Sequence, residues 1–219
     1  MAKKTFAVIG LGRFGQSVVE ELVKFDYDVL IIDKDADRLK KMAKLSSHAM
    51  TLDTTDENAL REVGISAVDH VVVAIGNNIQ DSILTTMILK ELGVPKVTVK
   101  VQNSYHEKVV LKIGADEVVQ PERLTGKRIA HRLMENNLLE YYDLSENHSF
   151  IVVSAVEKVW GSTVVNLDLR SKHNINLVAI KRDEDIIIPM PSTTFEKGDQ
   201  LLLVGSNKDL HRFTVWSEK

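Results

Sequence analysis

The chain has 219 residues, which indicates one or two domains, and its formal net charge of -3 gives no general attraction for nucleic acid. It contains no cysteine, which excludes disulfides, thiolate nucleophiles and cysteine metal sites. With 44% hydrophobic residues it can form a core, but no apolar stretch reaches the roughly 18 residues that span a bilayer and the start does not resemble an export signal, so we expect no membrane segment.

The first elements form a strand, a glycine turn, a helix and a second strand. Phe6–Ile9 is a short apolar run, and Gly10–Gly15 follows it directly with the spacing G-x-G-x-x-G. Residues 16–25 have helical periodicity, Val29–Ile32 reads as the next strand, and Asp33 stands at its carboxyl end. A glycine pattern in this context predicts a mononucleotide or dinucleotide site and not only a structural turn.

Each residue type in the glycine turn has a distinct physical use. Gly10 permits the tight turn, Gly12 lets a pyrophosphate approach the backbone, and Gly15 allows close packing of helix and strand. Asp33 can accept hydrogen bonds from ribose hydroxyls and would repel a 2′-phosphate, so NADP is disfavoured. Arg13 favours a more highly charged phosphate chain, such as that of ATP or ADP, although it could instead be a solvated side chain or a subunit contact.

Strands and helices continue to alternate up to about residue 120. We predict helices over residues 35–45, 55–63, 79–92 and 104–113, and strands over residues 49–52, 71–75, 97–101 and 117–119. Six strands with helices between them predict an α/β fold with a Rossmann-like, doubly wound parallel sheet.

In such a sheet the ligand lies beyond the carboxyl ends of the strands, where the strand order reverses. On this ground the predicted nucleotide site includes, besides the three glycines, Arg13 and Asp33, the residues Phe14, Lys34, Asp53, Thr54, Ala74, Ile75, Gly76, Asn77 and Lys100. A single Asp or Lys at a strand end is more often a cap or a solvated charge. A nucleotide site is favoured because all of these residues are predicted to lie at the same edge of the sheet.

The pattern changes after residue 120. Pro121 begins a helix that we predict to run to about Glu140, and this helix either covers its own domain or packs on a partner. The rest is a small α+β module with strands near Ser149–Val156, Leu177–Lys181, Ile186–Ile188 and Leu201–Val204 and a short helix near Asn166–Ser171. We therefore expect domains over 1–121 and 141–219, joined by a linker helix over 122–140. The seven histidines are scattered, without the spacing of a zinc site.

The sequence resembles the RCK family, and in particular the KtrA/TrkA-type regulatory subunits of bacterial potassium uptake systems. The resemblance covers essentially the whole chain and is carried by residues 6–15, Asp33, residues 73–80, 84–86 and 112–116, Pro121-Glu122, residues 166–170 and residues 174–176. It implies an RCK N-terminal Rossmann domain, a crossover helix and a small α+β RCK C-terminal domain. It further implies that the chain is not an enzyme.

The resemblance also implies ligands and partners. The first domain would bind ATP, ADP or NAD(H), and the ATP would be accompanied by Mg²⁺ or Ca²⁺. The protein would be cytoplasmic, at the inner face of the cell membrane, where a homodimer assembles into an octameric ring under a KtrB-type potassium pore. No nucleic acid would be involved.

By the same resemblance, Arg13 would reach the terminal phosphate of ATP, Asp33 would hold the ribose, Asp53 and Thr54 would border the adenine, and Glu122 would help to hold the divalent cation. In some relatives the second module binds cyclic di-AMP (c-di-AMP) between two subunits. The matching motif positions here are Asp168, Arg170 and Asn176, with Val164, Leu177 and Pro191 as apolar walls.

Two other functions use the same first domain. An NAD-dependent oxidoreductase would also need a general acid or base and a substrate pocket, and the second module offers neither in recognisable form. A nucleotide sensor could also act on a partner other than a potassium pore.

Overall fold

The computed structural model describes residues 3–46 and 48–218, with only the backbone of Glu218. The predicted domain ranges also include residues 1, 2, 47 and 219, which lie outside the described residues. The chain forms two compact units, divided between Pro121 and Glu122. The assignment of 122–140 as a separate linker stays a prediction.

The first unit is a parallel sheet with helices on both faces, as predicted. Its strands are β1 (Phe6–Ile9), β2 (Val29–Asp33), β3 (His48–Thr51), β4 (His70–Val73), β5 (Lys96–Lys100) and β6 (Glu117–Val119). Their order in the sheet is β3-β2-β1-β4-β5-β6, so the chain reverses direction across the sheet between β1 and β4. A Rossmann-like doubly wound fold is thereby confirmed.

The helices of this unit are α1 (Arg13–Lys24), α2 (Ala36–Met42), α3 (Glu57–Glu62), α4 (Ile79–Glu91) and α5 (Ser104–Lys112). Helix α1 begins three residues earlier than predicted, immediately after Gly12. Alternate side chains of β1 explain the two layers of helices. Ala7 and Ile9 pack in the core with α3, α4 and α5, whereas Val8 packs in the core with α1 and α2.

The second unit is an antiparallel sheet with helices. Its strands are β7 (Leu138–Asp143), β8 (His148–Ser154), β9 (Ile175–Arg182), β10 (Asp185–Ile187) and β11 (Gln200–Ser206), in the order β10-β9-β11-β8-β7. Its helices are α6 (Pro121–Met134), α7 (Val164–Leu167), α8 (Leu169–His173) and α9 (Asn207–Glu218). The core contains alternate side chains of the strands, together with Leu210 and Phe213 of α9.

Two predictions for the second unit were wrong, and one helix was missed. The helix from Pro121 ends at Met134 and not near Glu140, because Leu138 to Asp143 pair with β8 as an edge strand. The single helix near 166–171 is two short helices, α7 and α8, which are separated at Asp168, a residue with a positive φ of 49°. The terminal helix α9 was not predicted.

Candidate functional site

The glycine turn lies against the end of β4. Gly10 has a φ of 92°, which favours glycine, and its N–H donates to Ile32 O at 2.8 Å. A Cβ atom at Gly10 would come within 3.0 Å of the carbonyl group of Ala74. Both the conformation and the space therefore require glycine, and the turn is placed beside the point where the strand order reverses.

Gly12 and Gly15 differ in what surrounds them. A Cβ atom at Gly15 would lie well under 3.0 Å from the carbonyl oxygen of Gly10, so α1 approaches the turn as closely as its backbone allows. At Gly12, no atom of the described residues outside its own chain neighbours and helix lies within 4 Å of such a Cβ. Its φ of -68° suits any residue. The protein itself therefore does not require glycine at position 12, whereas a ligand that approaches the backbone would.

The amino terminus of α1 offers hydrogen-bond donors to this open space. Gly12 is the N-cap, and no described side chain caps the helix there. The amides of Arg13, Phe14 and Gly15 have no acceptor within the helix, because they belong to its first turn. No acidic side chain lies in that turn, which is fully described. Together with the helix dipole, this arrangement fits a phosphate group.

The Arg13 side chain is exposed and forms no ion pair with any residue that the structure describes. Arg13 is the first residue of α1 and directly follows Gly12.

Asp33 connects β2 to the glycine turn. Its side chain is buried, with its Oδ2 atom accepting from Leu11 N–H at 2.6 Å and its Oδ1 atom accepting from Asp35 N–H at 2.9 Å. The guanidinium of Arg38 is 3.7 Å from Oδ2. A carboxylate has about four acceptor positions, so Asp33 can hold the turn and still accept from a ribose hydroxyl.

Lys100, at the end of β5, lies near the Phe14 ring and near Gly76, which follows β4. Its Nζ is 5.9 Å from the centroid of the Phe14 ring and 3.6 Å from where a Cβ atom of Gly76 would be. The Gly76 carbonyl also accepts a hydrogen bond from the Gln102 side chain. We did not predict Gln102 as a site residue. The one feature of the sequence that could have indicated it is its position just beyond β5.

The two residues that were predicted to border the adenine, Asp53 and Thr54, lie beyond β3 and differ in their exposure. Thr54 is buried, and its hydroxyl is 2.8 Å from the hydroxyl of Thr85 on α4. Asp53 is exposed, and hydrogen bonds from the N–H and hydroxyl of Thr55 lower its pKa. Only Asp53 of this predicted pair therefore presents its polar group at the surface.

The other two predicted residues lie around the start of α4. Lys34 forms an ion pair with Asp81, in the first turn of α4. Asn77 is exposed and precedes Asn78, the N-cap of that helix. The structure thus gathers the glycine turn with Asp33, Ala74, Ile75, Gly76 and Lys100, while it pairs Lys34 and Thr54 with α4.

The predicted cation site has little support from the protein alone. Glu122 lies in the first turn of α6, in the second unit. Among the residues that the structure describes, no group of three or more His, Asp or Glu side chains could hold a metal ion. A cation near Glu122 would therefore need ligands from elsewhere, such as phosphate oxygens.

The predicted c-di-AMP residues fall on three segments of the second unit. Val164 begins α7 and donates its N–H to Thr193 O at 3.0 Å, and Val165 N–H donates to Pro191 O at 3.1 Å, so the walls at 164 and 191 are neighbours. Asp168 caps α8 by accepting from Ser171 N–H at 3.4 Å. Of the remaining three, Arg170 and Asn176 are exposed and Leu177 packs against the core.

The described part of the chain contains no helix that is both long and apolar enough to cross a membrane.

Comparison with known proteins identifies the family. The TrkA-N domain family matches residues 6–121 and the TrkA-C domain family matches residues 149–216. The Ktr system potassium uptake protein C of Bacillus subtilis is 50% identical over 212 residues, which are 96% of each chain. The Ktr system potassium uptake protein A of the same organism is 42% identical over 211 residues, 96% of this chain and 95% of that protein.

Among solved structures, the GsuK RCK domain matches with a TM-score of 0.70 and 14% identity, covering 100% of this chain and 48% of that chain. This chain therefore spans about half of the GsuK chain, and the likeness shows the fold. The GsuK channel has also been solved bound to NAD.

The close relatives are regulatory proteins of potassium uptake and not enzymes, which confirms the prediction of a non-enzymatic role and speaks against an oxidoreductase. The two matched domains follow one another in the chain in the same arrangement that the sequence resemblance implied. The chain belongs to the TrkA/Ktr family of RCK-type regulators of potassium uptake.

Proposed function

We propose that this chain is the cytoplasmic regulatory subunit of a Ktr-type potassium uptake system, and that an adenine nucleotide at Gly10–Gly15 controls potassium flux through a membrane partner. The observation that carries the proposal is the open space beside Gly12, where the protein has no need for glycine and the first-turn amides of α1 are available. The family supports the role in potassium uptake.

The charges around the turn favour ATP or ADP over NAD(H). Arg13 supplies an exposed guanidinium, and the Nζ of Lys100 is 5.9 Å from the centroid of the neighbouring Phe14 ring. The helix amides already serve the two phosphate charges of NAD, so an additional arginine favours a more highly charged phosphate chain. Asp33 holds the ribose, and Arg13 contacts the terminal phosphate of ATP.

The proposed cation, Mg²⁺ or Ca²⁺, accompanies ATP and not ADP. Its chemistry is to neutralise repulsion between the phosphates and a carboxylate. Glu122 supplies that carboxylate. If Glu122→Gln leaves the dependence of ATP affinity on Mg²⁺ or Ca²⁺ unchanged in calorimetry, this role of Glu122 is wrong.

A second ligand, c-di-AMP, is proposed for the second unit. The adjacent walls at Val164 and Pro191 and the exposed guanidinium of Arg170 support it, since two copies of the unit would each offer one arginine to a phosphate. Calorimetry with c-di-AMP tests this. Arg170→Ala should abolish binding, and Arg13→Ala, which lies in the other unit, should not change it.

The proposed membrane partner is a KtrB-type pore, with which homodimers of this chain assemble as an octameric ring. A ligand shifts a conformational equilibrium only by its differential affinity for the two states. ATP contacts Arg13 in a way that ADP cannot, and small differences per subunit add over a ring. Light scattering of the protein with and without nucleotide tests the octamer.

The decisive experiment is potassium flux in liposomes that contain a KtrB-type pore and this protein. We expect ATP and ADP to give different fluxes, and Gly12→Ala protein to give the same flux with either, because a Cβ atom occupies the phosphate position. Arg13→Ala should weaken ATP more than ADP by about 10-fold or more, as expected for a lost charge-assisted contact.

Equal flux with ATP, ADP and Gly12→Ala protein would exclude nucleotide gating through this site. If the nucleotides bind in calorimetry but flux never responds, the alternative of a nucleotide sensor for a different partner is favoured.

A further inference from the structure

Lys34 is held by an ion pair at the edge of the proposed nucleotide site. It directly follows Asp33, and its Nζ is 3.2 Å from Oδ2 of Asp81 in the first turn of α4. The pair joins the end of β2 to the helix that follows β4, and β1 with its glycine turn lies between these two strands. The Lys34 side chain is 69% exposed and the Asp81 side chain 24% exposed.

A second cation near Asp33 is also paired. Arg38 on α2 has its Nη1 3.7 Å from Oδ2 of Asp33 and its Nε 3.4 Å from Oδ2 of Asp35. The two cations closest in sequence to the ribose-binding carboxylate are therefore both neutralised by carboxylates of the protein.

These residues bear on the ribose because of a general rule of this fold. An acid at the end of β2 binds the ribose 2′-hydroxyl, whereas a cation near that position accommodates a 2′-phosphate. This chain has both kinds of residue. Whether the site prefers a 2′-hydroxyl or a 2′-phosphate therefore depends on whether Lys34 and Arg38 can contact the ribose.

We propose, on the basis of the proposed nucleotide site, that Asp81 is a specificity-determining residue that excludes 2′-phosphorylated nucleotides by withholding Lys34 from the ribose. Asp33 repels the 2′-phosphate directly, and Asp81 removes the cation that would compensate for that repulsion. Because an exposed ion pair contributes little to stability, Lys34 can be released without unfolding the site.

Among the described residues, the contacts of the Asp81 side chain indicate no other structural role for it. The N-cap of α4 is Asn78, whose side chain accepts from the N–H groups of Gln80 and Asp81. The Asp81 carboxylate itself contacts Lys34. Its remaining effect is the favourable charge near a helix amino terminus, which Asp81→Asn weakens in any background.

The test uses NADH and NADPH, which differ only by the 2′-phosphate, in fluorescence titrations of the full chain. We expect Asp81→Asn to increase the affinity for NADPH relative to NADH by about 3- to 10-fold, as for one phosphate contact at a partly exposed site. The double variant Asp81→Asn/Lys34→Met should return to the wild-type ratio. Lys34→Met alone should change the ratio by less than about twofold, since Lys34 is already neutralised.

The matched control is Asp37→Asn, which removes the same charge from the exposed ion pair of Asp37 with Lys40 on α2. It should leave the ratio unchanged. An unchanged ratio in Asp81→Asn, or an equal change in the double variant or in Asp37→Asn, would overturn the proposal while the nucleotide site stands. If wild-type protein binds none of ATP, ADP, NADH and NADPH, the proposed function fails and this inference with it.

Discussion

The glycine turn of the first unit and helix α6 of the second unit are held in place in opposite ways. The turn is fixed by backbone atoms, with Gly15 against the carbonyl of Gly10 and Gly10 against Ala74. Helix α6 has 14 residues, all described, and none of them is buried. A substitution that adds an atom against the backbone should therefore be strongly destabilising. By contrast, the side-chain contacts of α6 can be removed one at a time, each at a small cost.

The contacts of α6 with β7 are polar and aromatic. They include the ion pairs Lys127–Asp143 at 2.6 Å and Arg128–Glu140 at 2.5 Å, and the stack of His131 on Tyr141 with ring centroids 3.8 Å apart. Such contacts near the surface are individually weak, because water competes for each charge. The large apolar side chains of α6 are exposed, and Leu133 is 81% exposed.

The largest effect should come from Gly15→Ala. Its Cβ atom would meet the Gly10 carbonyl, which belongs to the backbone and cannot rotate away. We expect a loss of about 3 kcal/mol or more of unfolding free energy, as for severe overpacking. Urea unfolding followed by circular dichroism measures it.

Gly12→Ala is the matched control for this prediction. The same added methyl group meets no described atom there, so the stability should fall by less than about 1 kcal/mol while nucleotide binding is lost. Equal destabilisation by the two substitutions would contradict the contrast.

The second largest effect should come from Asp199, which tests whether a residue of the second unit tolerates substitution as poorly as the glycine turn does. Asp199 is fully buried and accepts from Arg182 Nε at 2.7 Å and Nη2 at 2.9 Å, and from Glu196 N–H at 2.8 Å. Asp199→Asn should cost about 2–4 kcal/mol, because it removes the buried charge with which the Arg182 guanidinium pairs and replaces one acceptor oxygen by a donor.

Glu196→Gln is the control, since Glu196 pairs with the same arginine through a side chain that is 58% exposed. It should cost less than about 1 kcal/mol. If both variants cost the same in urea unfolding, burial is not the cause.

The pH dependence of the second unit follows from its carboxylates. Hydrogen bonds from Ser206, Asn174 and Arg212 lower the pKa of Asp209 from 3.8 to about 2. A carboxyl group with a lowered pKa in the folded state stabilises that state above its unfolded pKa, and this contribution is lost as the pH falls. The loss should occur between pH 3.8 and about 2.

Asp209→Asn protein should therefore show a flatter dependence of thermal unfolding on pH in that window. An unchanged slope would mean that other carboxylates account for the acid sensitivity. Asp199 is one of these, because burial raises its pKa but the hydrogen bonds from Arg182 and Glu196 N–H outweigh this and hold it below 3.8.

Substitution of Thr54 tests whether its contact with Thr85 stabilises the fold or whether the Thr54 hydroxyl binds the ligand. Thr54→Val should cost about 1–2 kcal/mol, since it leaves the buried Thr85 hydroxyl without its partner. Thr54→Val/Thr85→Val should recover most of that stability. We expect nucleotide affinity to change little in either variant, and a large loss in calorimetry would show that the hydroxyl contacts the ligand after all.

The smallest effect should come from Lys127→Met on α6. Its ion pair with Asp143 is 46% and 35% exposed, so we expect a cost of about 0.5 kcal/mol. Hydrogen exchange of α6 should nevertheless become faster than in the control Lys40→Met, which breaks a similar exposed pair on α2. A cost as large as that of Asp199→Asn would show that α6 is not held by weak additive contacts.

Much of the first unit could be predicted because its signals are local. The strand, glycine turn, helix and acid from Phe6 to Asp33 follow each other in the chain, and a parallel strand that is buried on both faces is a continuous apolar run. The placement of Asp33 beside the turn follows from the same pattern.

The second unit was harder to predict because its signals are not local. Strand β7 exists because it pairs with β8, and without that partner its leucines continue the apolar spacing of α6. Helix α9 has few apolar residues, of which Leu210 and Phe213 join the core and Trp216 packs against it. A short segment of this kind is stabilised by tertiary packing and not by its own propensity.

By itself, the sequence determined the parallel sheet, the glycine turn and the family, since each depends on residues close together in the chain or on a motif in register. Only the tertiary structure decided that Gly12 faces open space, that Thr54 bonds Thr85, that Gln102 reaches Gly76, and that Asp81 holds Lys34. These contacts join residues from different strands and helices. Which side chains come into contact depends on how the sheet brings those strands and helices together, and the spacing of residues along the chain does not reveal it.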